Sequence, residues 1–323
     1  MRYYRLAKYL LLAGLMAFLV ETLLNIVYDS EEKRISRHTP IAEDLYKVVS
    51  PSTYEYILNQ PIACEHNPDL VLMVPVAPGD SGSRDAVRNS WGQRDLVSNV
   101  KMVKLFFVGV LKGEEGENAI NALAEENLKH ADIILMDFLD SYHNLTVKTM
   151  MMMNWLVTYC QSASYVMKID ADIFLNVYYL INMLPFPAKK NYIIGSVIND
   201  GMPRRDEKSK WYLSKDIYPD TSFPPYVSGA GYVFSADLAA KISMASRFVR
   251  PIPLEDVYVG LCLNILGVRP VYGRSMFWLR NLFEVRHLDY DRCTFAKLVL
   301  VVDFPPSELL KNWPDFQKNN GTC

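Results

Sequence analysis

The strongest constraint on this chain is an alternation that runs from about residue 70 to residue 270. Short apolar runs rich in β-branched residues are each followed by a longer stretch with helical spacing. VLMVPVA (71–77) is continuously apolar and stops at Pro78-Gly79, which reads as a buried strand and a turn. Arg84–Trp91 reads as a short helix, VKLFFVGVL (103–111) as a second strand, 114–130 as a helix and DIILMDF (132–138) as a third strand. In 144–160 Leu145, Thr149, Met152, Leu156 and Tyr159 recur at helical spacing, and Asp140 or Ser141 can cap the start. Tyr165–Ile169 is a strand, 177–184 helical, 192–198 a strand and 254–266 a helix closed by Gly267. Alternation of this kind predicts an α/β fold, a mostly parallel sheet flanked by helices. Met150–Met153 fits core filling better than a soft-metal site. Asp200–Pro225 breaks the pattern: it is polar and aperiodic, and long loops in compact domains are usually functional.

A second block sits at the N-terminus. Tyr9–Tyr28 is largely apolar, and its length as a helix, about 30 Å, matches bilayer hydrocarbon. Arg2, Arg5 and Lys8 precede it, and no small-x-small cleavage pair follows Val20. The expected organisation is a cytoplasmic tail (1–8), a transmembrane signal anchor (9–28), a stem (29–60) and a lumenal domain (61–323). Two sequons, at Asn144 and Asn320, fit lumenal N-glycosylation. Five cysteines allow two bridges with one thiol left over, in fifteen connectivities. The 323 residues carry 34 Lys+Arg against 36 Asp+Glu, and half of them are apolar. That balance excludes a disordered chain and argues against a nucleic-acid partner.

Four groups of residues carry chemistry. Asp170-Ala171-Asp172 follows a strand directly, where α/β sheets bind ligands, and two such carboxylates suit a hard divalent cation. A solvated turn has the same composition. Glu255-Asp256 opens a helix; the pair either complements the helix dipole or supplies a general base. In YVSGAGYVFS (226–235), Gly229 and Gly231 permit close approach of backbone to a ligand, or a bulge in a strand. Arg84 and Arg88 share a helix face, fit either for a diphosphate or for water. No Walker loop, H-E-x-x-H or C-x-x-C occurs, and no strained serine elbow.

Taken together, VPVAPG (74–79), RDAVRNSWG (84–92), DFLDSYHNLTVKT (137–149), YVMKIDADIFLN (165–176), SKWY (209–212), PPYVSGAGYVFSADLA (224–239), LEDVYVGLCL (254–263) and PSELLKNW (306–313) resemble the β-1,3-galactosyltransferase family. That family also includes β-1,3-N-acetylglucosaminyltransferases, and the resemblance covers roughly residues 60–315. It implies a fold of the GT-A kind in a single-pass type II Golgi membrane protein. It also implies inverting transfer of a hexose, galactose favoured, from a UDP-sugar to a glycan acceptor on protein or lipid. By resemblance Asp172 is the direct ligand of Mn²⁺ or Mg²⁺, and Asp170 lies near the metal and the ribose. Asp256 is the catalytic base, and Arg84 and Arg88 are donor-side. Trp211, Gly229, Gly231 and Glu255 line the donor or acceptor pocket.

Three positions depart from the family pattern. Val302 stands where the family has a metal-binding His, with Asp303 or water as a substitute. Val227 replaces a Cys, and Ala171 replaces the commoner Asp or Ser. The departure at Val302 leaves open a weakened paralogue that binds UDP-sugar or partner transferases.

Overall fold

The computed structural model describes residues 12–13, 15–20, 22, 35, 38–273, 281–286, 288–318 and 323. Ile41–Cys323 forms one compact unit and Met1–Pro40 another. Most of the expected anchor at 9–28 lies outside the described residues; among those described, no helix is long and apolar enough to cross a membrane.

In chain order the larger unit comprises α1 (Glu43–Tyr46), β1 (Tyr56–Leu58), β2 (Leu70–Pro75), α2 (Ser81–Arg88), β3 (Met102–Val110), α3 (Gly113–His130), β4 (Ile133–Leu139) and α4 (Leu145–Tyr159). Then come β5 (Tyr165–Ile169), β6 (Phe174–Leu175), α5 (Val177–Met183), β7 (Ile193–Ile198), β8 (Tyr226–Ser235), α6 (Asp237–Ala245) and α7 (Glu255–Leu266). The chain closes with β9 (Val271–Tyr272), α8 (Arg292–Phe295), β10 (Leu300–Val301) and α9 (Pro306–Gln317).

The expected strands and helices of the alternating region all form. The sheet they build has four parallel and three antiparallel pairings among the described residues. Its order is β1-β4-β3-β2-β5-β8-β7-β9. The β4-β3-β2-β5 core is parallel, as helical crossovers dictate. β8 runs antiparallel to both neighbours, because β7 reaches it through the 200–225 loops without a crossover helix. β1 also pairs antiparallel, with β4, so residues 41–60 of the expected stem are partly built into the domain.

Strand periodicity sorts the core. Leu70, Leu72 and Val74 face a cluster with Trp91, Leu123 and Trp313, from α3, α9 and the turn after α2. The intervening Val71 and Met73 are equally buried, on the side where α4, α6 and α7 pack together. There Phe107 meets Trp155 edge-on at 6.0 Å. The four methionines of α4 are 0–1% exposed and fill this second layer, as expected. Neither Asp140 nor Ser141 caps α4. A 3₁₀ turn, Tyr142–Asn144, leads into it, and Asp140 instead binds Lys148 at 2.7 Å. The bridges are Cys64–Cys160 and Cys293–Cys323, leaving Cys262 as a buried thiol on α7.

Candidate active site

The chain order β2, β3, β4 proceeds to one side of β2, and β5 then inserts on the other side. At such a reversal the carboxyl ends of the strands open a crevice. A cavity of about 670 Å³ lies past the end of β5. Its walls include Asp170, Asp172, Ser228, Gly229, Glu255 and Asp256, with Asp200, Met202, Arg204, Lys210 and Trp211 from the long loops. The aperiodic 200–225 stretch is therefore a cavity wall.

Each carboxylate has a distinct setting. Asp170 ends β5, its amide bonded to Ala230 O at 3.1 Å, and its Oδ1 accepts from Lys168 Nζ at 2.7 Å. Asp172 is exposed to the cavity. A short antiparallel pairing of β10 with β6 brings Val302 and Asp303 beside it, with Phe304 N donating to Asp172 O at 2.8 Å. Val302 is 4% exposed, and Asp303, at φ 57°, accepts from Arg286 at 3.1 Å.

Glu255 and Asp256 differ in role although they are adjacent. Successive helix positions point about 100° apart. Glu255 is buried, facing Lys168 Nζ at 3.1 Å, with the Tyr232 and Thr149 hydroxyls donating at 3.3 Å. Asp256 Oδ2 accepts from Gly229 N at 3.1 Å and Oδ1 from Val257 N at 2.8 Å. Burial pushes the carboxyls of Asp170, Asp172, Glu255 and Asp256 above their ordinary range. The two backbone donors and Lys168 oppose that rise at Asp256; the neighbouring charge of Asp170 adds to it at Asp172.

The donor set fits a hard divalent cation. The lining carries seven carboxylates against two lysines and two arginines, which leaves it net negative, and the carboxylate donors are oxygen. Among the described residues no three His, Cys, Asp or Glu side chains cluster tightly enough to hold a metal ion. Two carboxylates completed by substrate phosphates is the arrangement usual for Mg²⁺.

Other expected residues fall differently. Trp211 is 46% exposed at the rim, with Lys210 Nζ 4.7 Å over its ring. Gly229 lies in the wall, where a Cβ would come 2.7 Å from Glu255 Oε1. Gly231 is not in the wall: it admits Leu300, whose Cδ1 would be 2.6 Å from a Cβ.

Arg84 and Arg88 also lie outside the cavity lining, against the donor-side expectation. Arg84 is 2% exposed and forks onto Glu126 at 2.6 and 2.8 Å. Arg88 forks onto Asp132 at 2.7 and 2.9 Å. Asn144 is half-buried and donates to Leu139 O at 2.8 Å, while Thr146 of its sequon is buried; Asn320 lies outside the described residues. Sequence reasoning passed over Lys168, Tyr142 and Arg286. A lysine inside the strand YVMKI was the available signal, since a buried ammonium needs anionic partners.

The family profile described as Galactosyltransferase matches residues 82–273. "Beta-1,3-galactosyltransferase 2" of Mus musculus is 40% identical over 275 residues, covering 83% of this chain and 64% of that protein. "Beta-1,3-galactosyltransferase 1" of Mus musculus is 40% identical over 272 residues, covering 83% of this chain and 80% of that one. A solved structure described as the WbbM bifunctional glycosyltransferase in its apo form aligns at TM-score 0.40 and 13% identity. It covers 78% of this chain and 51% of the other, too loose a match to bear on fold or function.

Proposed function

Since the chain belongs to the galactosyltransferase family, we propose that it transfers galactose from UDP-galactose, in β-1,3 linkage, to a terminal sugar of a glycoprotein or glycolipid. The observation that carries this reading is Asp256. Two backbone amides fix its carboxylate in the cavity that also holds Asp170 and Asp172. A base so placed takes the proton from the acceptor 3-hydroxyl as that oxygen attacks the anomeric carbon from the face opposite UDP. One displacement inverts an α-linked donor to a β-linked product.

Asp172 and Asp170 would hold Mn²⁺ or Mg²⁺; a bound cation neutralises charge developing on the leaving diphosphate. Trp211 offers an aromatic face for a sugar ring. The fold reads as GT-A-like, and the block at 9–28 as the anchor of a type II Golgi membrane protein with its catalytic domain lumenal. Transfer of N-acetylglucosamine is the alternative within the class. The apolar wall at Val302 favours a second reading, a weakened paralogue that retains UDP-sugar.

The test uses the full chain in detergent with a panel of UDP-sugars and acceptors, with and without Mn²⁺. Galactosyl transfer giving a β-anomer by NMR, abolished in Asp256→Asn, supports the proposal. UDP binding without turnover of any donor rejects it in favour of the weakened paralogue.

A further inference from the structure

Lys168 is the one charged residue of β5, and its side chain is 6% exposed. Its ammonium has three protons and three partners: Asp170 Oδ1 at 2.7 Å, Glu255 Oε1 at 3.1 Å and the carbonyl of Gly229. Those partners belong to three segments: the loop ending β5, the first turn of α7, and β8. Gly229 is gripped at both ends, since its N–H donates to Asp256 Oδ2 while its carbonyl accepts from Lys168. A chain of direct bonds therefore runs from Asp170 through Lys168 and Gly229 to Asp256. An apolar side chain would satisfy the packing of a buried strand, whereas a buried ammonium is costly unless fully paired.

We propose that Lys168 is a positioning residue for the transfer reaction, holding the Gly229 backbone so that the Asp256 carboxylate keeps a fixed orientation relative to Asp170 and Asp172. The inference rests on the transfer reading above. A misplacement of about 1 Å at a reacting group costs on the order of 10²-fold in rate.

Lys168→Met leaves Glu255 buried without a cation and lowers stability, so the deciding variant is Lys168→Met/Glu255→Gln, which removes that buried charge and leaves Asp170, whose side chain is 41% exposed, to water. Full-length wild type and both variants are compared in detergent for melting temperature, kcat and acceptor KM. The double variant is expected to melt close to wild type, with kcat down about 10²-fold and acceptor KM little changed. Recovery of kcat to the wild-type value would overturn the proposal, because Lys168 would then only neutralise Glu255. A double variant that melts far below wild type would also overturn it, assigning Lys168 to the core. Absence of transfer by wild type with any UDP-sugar is a different failure; it removes the transfer reading and this proposal with it.

Discussion

Replacing Arg88 by methionine separates two accounts of the Arg84–Arg88 pair. The Arg88 side chain is 6% exposed and that of Asp132 4%, and the two are joined by a fork at 2.7 and 2.9 Å. Removing one partner of a buried pair costs about 3–5 kcal/mol. Lys104 Nζ remains 3.0 Å from Asp132 and Glu126 keeps Arg84, so the lower end, about 3 kcal/mol, is expected. At roughly 2–4 °C per kcal/mol for a domain of this size, the melting temperature falls by about 6–12 °C.

The loss depends on pH. Burial alone would raise the Asp132 carboxyl, but its bonds to Arg88 and Lys104 hold it below the ordinary carboxylate range. A depressed folded pKa gives stability that is present above the unfolded pKa and lost as pH falls through the folded value. The variant's deficit is therefore greatest near neutrality and narrows on acidification, where Asp132 protonates in the variant first. Differential scanning fluorimetry at pH 7.5 and pH 4.5, with donor KM measured alongside, tests this. A many-fold rise in donor KM with an unchanged melting temperature would refute the argument and return Arg88 to the donor.

Three further outcomes follow from the geometry. Burial holds Asp256 above an ordinary aspartate, and a base must be ionised, so kcat/KM should fall on acidification with its inflection above the ordinary aspartate range; an inflection within or below that range contradicts the assignment. Val302→His places an imidazole beside Asp172 and should lower the Mn²⁺ concentration for half-maximal activity, read from a metal titration. Gly231→Ala, crowding Leu300, should destabilise by about 1–3 kcal/mol while the folded fraction keeps its kcat, measured by melting and active-site titration.

Sequence by itself determined the pieces whose signals are local. The apolar runs at 71–77, 103–111 and 132–138 become β2, β3 and β4, because a continuous apolar run bounded by turn residues can be buried on both faces only as an inner strand. The D-x-D was legible for the same reason, its place at a strand end being set by the five residues before it. Tertiary structure decided the partners. Arg84 and Arg88 share a helix face in any fold, but Glu126 and Asp132, about forty residues away, claim them from α3 and the start of β4. Gly229 and Gly231 look equivalent in the sequence, yet β8 turns one toward Asp256 and the other toward Leu300. Glu255 and Asp256 are adjacent in any reading. Only the packing of α7 against β8, with Lys168 beside its first turn, gives one a buried ammonium and the other the Gly229 amide. A helix can be rotated about its axis without changing its residue pattern, so the direction of each carboxylate is fixed by the surfaces that meet it.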